Sequence, residues 1–384
     1  RVVSPSSSMR SPPVPETNNE TLLEILVKLP AKSIFRFKCV SKNWLSLISE
    51  PSFFTRYINS RYDSPPFSLV FQCSNTARAH FFISTEKNTL KYLTSLHDQI
   101  PPLKIESTNN DLILYRSENS HQPVYFLANP FTKQFVSLPM HSTRRSSGPT
   151  GLISNVEDGI TSYNVVRVII KSSLNLEIFS SERGEWMNFK AVINNCTSKV
   201  EFDARPCVVF RGVLHWICNK MTALLTYDPR SKNYGFCRFI SVPNGAYHMN
   251  GKNAVLGVSG GKLCYFEMNG ISVQDYNLPA WKLWVMKDYE RGEWSLDRES
   301  GERKIDSFGF LCNLLSSYSP LFPVAFHPWN SDVVYFWHEG YILNFSIKTG
   351  WFDEDVFSTF CMLSAWENFP LLMPLCSTNA IPSL

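Results

Sequence analysis

Residues 22–54 read LLEILVKLPAKSIFRFKCVSKNWLSLISEPSFF. Leu22, Leu23, Ile25, Leu26 and Leu29 recur at helical spacing. Asn18, Asn19 and Thr21 offer N-cap chemistry just ahead of them. Pro30 ends this helix, because the residue before a proline avoids the helical region. Ser33 is placed to cap a second helix carrying Ile34, Phe35, Phe37 and Val40. Ser41 is placed to cap a third, with Trp44, Leu45, Leu47 and Ile48, and Pro51 marks its end. Three short helices in about 35 residues cannot bury all of that apolar surface among themselves. Two readings follow: a helical cap packed on the next domain, or a module that docks on a partner.

Past Arg61 the texture changes. Asp63-Ser-Pro-Pro reads as a short linker, and from Phe67 onward short apolar or alternating runs are broken by Asn, Gly, Pro and Ser. Among them are Phe67–Phe71, Leu112–Tyr115, Val165–Ile170, Leu174–Phe179, Val208–Phe210, Val213–Ile217, Leu263–Phe266, Val333–Trp337 and Tyr341–Ile347. In the last, Tyr341, Leu343, Phe345 and Ile347 fall on one face. The fold class is mostly β with a small N-terminal helical module.

The β region repeats. Gly212-Val-Leu-His-Trp216, Gly261-Lys-Leu-Cys-Tyr265 and, more loosely, Asp332-Val-Val-Tyr335 form one recurring unit. A strand running into a turn forms another, at Leu127–Lys133, Thr226–Lys232 and Phe345–Gly350. Leu-Pro at 138–139, Val-Pro at 242–243 and Leu-Pro at 278–279 punctuate strand ends. Glu-Arg-Gly-Glu-Trp occurs at 182–186 and again at 290–294. Units of roughly 45–55 residues with several strands each point to a β-propeller, and the length leaves room for about six or seven blades. Paired β-sandwiches are the alternative architecture.

Composition narrows the function classes. The 384 residues are 44% hydrophobic with 28 Phe, ample for a large core. The ten cysteines include no CxxC pair and no Cys/His cluster with zinc spacing, so reduced thiols in the cytosol or nucleus are expected, and no cofactor. No apolar run approaches the length of a membrane helix, so no membrane partner is expected. A net charge of +4 without a long basic run argues against nucleic acid. Asn19, Asn195 and Asn344 open glycosylation sequons that carry no meaning without secretion. Residues 16–62 hold seven basic against four acidic side chains, an excess that would steer an acidic partner. Residues 1–16, rich in Ser and Pro, are expected to be disordered, and Met9 is a candidate natural start.

Several strings together resemble a known family. Glu24–Leu26, Leu29–Pro30, Lys32–Ser33, Arg36–Trp44 and the trailing Ser46–Phe54 are similar to an F-box of the plant type, over roughly residues 20–56. The family usually opens with Leu-Pro; here Val14-Pro15 lies upstream, with Glu-Thr-Asn-Asn-Glu between. Asn129–Lys133 with Leu138-Pro139, Tyr163–Arg167, Ile178–Ser181 with Trp186, Gly212 to Trp216, and Ala325–Pro328 resemble the plant F-box-associated region, which is kelch-like. The resemblance implies an F-box over 17–61, a linker over 62–67 and a β-propeller-like substrate-binding domain over 68–384. It implies a Skp adaptor and, through it, a cullin as partners, an unidentified target protein, and a place in the cytoplasm or nucleus. It makes Leu22, Ile25, Leu26, Leu29, Pro30, Val40 and Trp44 the candidate adaptor-binding residues. It makes the chain the substrate-recognition subunit of a Skp–cullin–F-box ubiquitin ligase with no catalytic residues of its own.

Other functions leave weaker traces. A propeller interaction module without ubiquitin function uses the same residues. Gly257-Val-Ser259-Gly-Gly261 matches the G-x-S-x-G nucleophile elbow, which needs a strand, a sharp turn and a helix. Here Lys262–Phe266 follows, and it reads as a strand. His215, His248, His327 and His338 lack the spacing of a metal or carbohydrate site in a propeller channel. Trp186, Trp216, Trp294 and Trp337 are expected to pack between strands. For target contacts, two polar connections are candidates: Pro139–Tyr163, with Arg144 and Arg145, and Asp288–Asp306.

Overall fold

The computed structural model describes residues 19–50, isolated positions between 53 and 60, and then 67–72, 80–84, 103–117, 122–141, 148–193, 200–243, 253–269, 277–304, 321–358 and 371–374, several with short internal gaps. The tail 1–16, His248 and Arg144-Arg145 lie outside the described residues, as does nearly all of the linker. The chain divides into two compact units, Arg1–Tyr62 and Asp63–Leu384.

The first unit holds α1 (Asn19–Leu26), α2 (Ala31–Phe37) and α3 (Lys42–Ser49). The α1 helix ends earlier than the apolar spacing implies. After Leu26 the chain tightens into i→i+3 bonds, Lys28 N to Ile25 O and Leu29 N to Leu26 O, which bring it to Pro30. The expectation of a Ser33 cap is corrected: α2 starts directly after Pro30, which stands at the cap with no side-chain bond, and Ser33 lies inside the helix. Proline presets the φ needed there. The Ser41 cap forms, its side chain accepting from Trp44 N at 3.2 Å.

The second unit opens with β1 (Phe67–Gln72) and β2 (His80–Ser84). Blade 1 is β3 (Leu103–Asn109), β4 (Leu112–Ser117), β5 (Tyr125–Asn129) and β6 (Gln134–Ser137). Blade 2 is β7 (Thr150–Glu157), β8 (Ile160–Ile170), β9 (Leu174–Ser180) and β10 (Glu185–Lys190). The short β11 (Val192–Ile193) precedes blade 3, formed by β12 (Val208–Phe210), β13 (Val213–Cys218), β14 (Ala223–Tyr227) and β15 (Phe236–Ser241). Blade 4 runs through β16 (Ala254–Ser259) and β17 (Lys262–Met268), then past the small β18 (Asn277–Leu278) to β19 (Trp281–Asp288) and β20 (Glu293–Ser300). Next, β21 (Arg303–Lys304) pairs with β18. Blade 5 is β22 (Leu321–Phe326), β23 (Val333–His338), β24 (Tyr341–Ser346) and β25 (Trp351–Ser358). Finally β26 (Leu371–Pro374) pairs antiparallel with β1, which also pairs with β2. The described residues thus form five full blades and a sixth, three-stranded sheet that joins the two ends of the β unit, where length alone had left room for six or seven blades.

Burial shows why this is a propeller and not a pair of sandwiches. A sandwich buries one face of each sheet; here the inner strands are buried on both. Along β8, Tyr163 and Val165 join the cluster shared with blade 1, while Val166 and Val168 join the one shared with blade 3. Along β13, Leu214, Trp216 and Cys218 face blade 2 and Ile217 faces blade 4. Along β17, Leu263 and Tyr265 face blade 3, while Cys264, Phe266 and Met268 face blade 5. From blade 1 to blade 5, successive sheets therefore stack face to face, each neighbouring pair sharing one core. The Tyr341, Leu343, Phe345 and Ile347 face lies on the core of blades 4 and 5.

The sequence repeats occupy equivalent places. Gly212 and Gly261, at φ 76° and 72°, turn the chain into the second strands of blades 3 and 4, and Asp332 leads into that of blade 5. The two Glu-Arg-Gly-Glu-Trp copies form the turns between the third and fourth strands of blades 2 and 4, with Gly184 and Gly292 at φ 70° and 69°. Asp288–Asp306 is accordingly not the polar loop expected from its charges. Over its described residues it is that turn followed by the outer strand β20, whose charges face solvent along an edge with no strand partner among the described residues, and by the short β21. Much of Pro139–Tyr163 is likewise strand, in β7 and β8.

Candidate functional site

The helical unit sorts its apolar residues into two sets. Leu22, Leu23, Leu26, Val27, Ile34, Leu47, Ile48, Phe53 and Tyr57 form its own core. Of the candidate adaptor-binding residues, Leu22 and Leu26 thus point inward, Leu26 at 0% exposure. Leu29 and Trp44 are half-buried against that core, and Trp44 meets Phe37 edge-on at 5.1 Å between ring centroids. Ile25 and Val40 are 55% and 57% exposed, and Pro30 is exposed. Leu45, absent from the candidate set, is 46% exposed. It stands off the Trp44, Leu47 and Ile48 stripe, and that offset in spacing is the signal by which the sequence could have marked it.

Cross-ties join separate segments of the helical unit. Arg56 Nη1 lies 2.5 Å from Glu20 Oε1, Asn43 Nδ2 donates to Asn19 Oδ1 at 3.2 Å, and Ser60 Oγ donates to Val27 O at 3.0 Å. Desolvation by burial lowers the Lys38 amine from its ordinary range.

In the propeller, the G-x-S-x-G string is a hairpin. Ser259 ends β16, Gly260 and Gly261 turn at φ 53° and 72°, and Lys262 opens β17. The Ser259 hydroxyl is buried and donates to His327 O at 2.6 Å, so it is held as a strut. His215 lies fully buried in blade 3. Val208 O can only accept, so His215 Nδ1 carries the proton toward it at 3.2 Å, and Nε2 accepts from Tyr289 Oη at 2.8 Å. Burial pushes His215 and His327 down to about 4. Among the described residues no group of three or more His, Cys, Asp or Glu is placed to hold a metal. Cys207, Cys218, Cys237 and Cys264 are buried free thiols, and burial pushes Cys237 and Cys264 up to about 12 and about 11.

Charge is buried deepest at the seam of blades 1 and 2. Arg167 and Glu177, both fully buried, form an ion pair. Arg167 Nε donates to Tyr125 Oη at 3.2 Å, its guanidinium lies 5.8 Å from the Trp186 ring centre, and His141 Nδ1 stands 3.9 Å from Glu177. Trp186 Nε1 donates to Pro139 O at 2.7 Å, and Trp294 Nε1 donates to Ser241 O at 2.9 Å. The repeated tryptophans thus perform one task twice: each reaches from an outer strand to the end of the preceding blade. Trp216 is buried in the core of blades 2 and 3, and Trp337 stacks on Phe322.

Comparison with known proteins completes the assignment. The family model for the F-box protein At3g26010-like β-propeller matches residues 80–353, well over half of the chain. This chain belongs to that F-box propeller family. The F-box domain itself matches over residues 18–56. An Arabidopsis thaliana protein named as an F-box protein, At3g23950, is 24% identical over 361 residues, 86% of this chain and 82% of its own. The F-box/kelch-repeat protein At1g15680 of the same plant is 28% identical, over 87% of this chain and 82% of that one. The F-box protein At5g49610, also from Arabidopsis thaliana, is 26% identical over 77% and 79%. Among the described residues no helix is long and apolar enough to cross a membrane.

Proposed function

We propose that this chain is the substrate-recognition subunit of a Skp–cullin–F-box ubiquitin ligase, working without catalytic residues of its own in the cytoplasm or nucleus. The F-box, which we assign to residues 17–61, binds the Skp adaptor and through it a cullin. A linker at 62–67 leads to a kelch-like propeller at 68–384, which holds a target protein. The observation that carries this is the F-box itself: a unit that buries one set of apolar side chains and leaves Ile25, Val40 and Leu45 in solvent. Exposed apolar groups on a small, cross-tied unit are the kind of surface a partner covers. Pro30, Leu29 and Trp44 complete that contact, while Leu22 and Leu26 support it from inside. The propeller raises the effective concentration of a target lysine near the ligase by placement alone.

Co-purification with a plant Skp adaptor tests this. The wild-type chain is expected to bind, and Ile25→Asp with Val40→Asp to lose binding while the chain stays folded, because both side chains stand in solvent. A folded wild-type chain that does not bind would sink the ligase reading and leave a propeller interaction module.

A further inference from the structure

The four strands of blade 5 are antiparallel, so the turns at 327–332 and 347–350 emerge at the same end. That end presents two tryptophans, Trp329 at 38% and Trp351 at 36% exposure. Trp329 rides on a rigid turn. His327 Nδ1 accepts from the backbone N–H groups of Trp329 and Asn330, at 3.2 and 2.9 Å. Ser259 Oγ holds His327 O, Gly260 N donates to Pro328 O at 3.0 Å, and Asp332 N donates to Asn330 Oδ1 at 3.0 Å. Asp332 then ties in the second turn, accepting from Ser346 Oγ at 2.8 Å and Lys348 N at 2.5 Å. Trp351 N donates to Thr349 Oγ1 at 3.3 Å. Aromatic side chains held on ordered backbone lose little freedom when a partner covers them.

The charge here runs against that of the whole chain. The outermost strand, β25, opens Trp351-Phe-Asp-Glu-Asp355. Phe352 is buried against Phe345, and Asp353 is exposed. The pairing passes from Phe345↔Phe352 to Leu343↔Val356, so this acidic triplet falls where the register shifts. Asp297, Asp332 and the exposed Asp353 stand against Lys348 and against Arg298, which is divided between Asp297 at 3.7 Å and Asp332 at 3.6 Å. Three acidic groups to two basic ones leave an excess of one negative charge, in a chain of net +4. Indole faces beside carboxylates suit an ammonium or guanidinium group, by cation–π attraction and by charge. Among the described residues no strand pairs with the outer edge of β25, and such an edge offers backbone groups to an extended strand.

We propose that the Trp329–Trp351 end of blade 5 docks a lysine- or arginine-bearing extended segment of the target protein. This rests on the reading of the propeller as the target-binding domain.

The test is fluorescence anisotropy of the full chain with a labelled peptide of alternating lysine and threonine, against a glutamate–threonine peptide of equal length. The lysine peptide is expected to bind and the glutamate peptide not to bind. Trp329→Ala with Trp351→Ala weakens binding roughly tenfold or more, as loss of aromatic anchors does. Asp353→Lys, at an exposed position that leaves the fold intact, abolishes it. No binding by the wild type, equal binding of both peptides, or binding that survives both variants would overturn the proposal. So would capture of a neutral oligosaccharide that the double tryptophan variant loses. Adaptor co-purification on the same samples separates the claims. It is expected to survive both variants, and its failure in the wild type would overturn the ligase reading and leave the peptide result standing.

Discussion

Arg167 and Glu177 pose the sharpest energetic question at a single site. Two fully buried charges are tolerated only because each has the other, with Tyr125 accepting from the guanidinium. Removing one partner leaves a bare buried charge. Glu177→Ala is therefore expected to lower the stability of the chain by about 3–5 kcal/mol. Arg167→Met combined with Glu177→Leu costs less than the single change, and the midpoints of urea denaturation compare them. The repeated tryptophans are milder. Trp294→Phe keeps an aromatic ring but loses part of the indole's packing and its hydrogen bond to Ser241 O, so its cost is expected to exceed the ~1 kcal/mol of the bond alone. The buried imidazoles give a pH dependence. His215 and His327 sit near 4 when folded and near 6.5 when unfolded, so the unfolded chain takes up protons first. Their contribution is complete above about 6.5 and is lost as pH falls through about 4. Melting temperature should drop over that window, with a shallower slope in His215→Gln. Arg167 and Glu177 face each other across the β8–β9 ladder of blade 2, but the sequence does not show that the pair is buried, because Tyr125 and His141 come from other segments and close over it only when blades 1 and 2 stack.

Among the elements, the strands were the most legible. Runs such as Val213–Ile217 and Val333–Trp337 became strands because β-branched and aromatic residues fit a pleated, buried surface. The charged stretch Asp288–Asp306 misled, because an outer strand needs only one buried face and can carry charge on the other. Close packing between blades makes its own demand. A Cβ on Gly151 would lie 2.9 Å from Leu214 Cδ2 and 3.0 Å from Trp216 Cζ2, across the seam of blades 2 and 3. Gly151→Ala is expected to cost about 1–3 kcal/mol through overpacking, read as a shift in the denaturation midpoint. The small β11 stitches the same two blades: it runs parallel to β15, and Val192 N donates to Gly235 O at 2.8 Å.

The β unit as a whole is tied through β1 and β26, from opposite ends of its sequence. That pairing turns a row of sheets into one cooperative body. Ending the chain before Leu371 would leave β1 paired with β2 alone. The truncated chain is expected to melt at a lower temperature and to be cleaved faster by protease. Unchanged melting would show that the inter-blade cores alone set the stability.

The sequence by itself determined the helical module, the β character of the rest, the turn glycines and the matched blade units. Each of these rests on local spacing, and spacing survives in a linear chain. Only the tertiary structure decided which apolar residues of the module stay in solvent, how many full blades form and which charges are buried. Those outcomes depend on the second face of every helix and strand, and what covers that face is set by segments about 50 residues away.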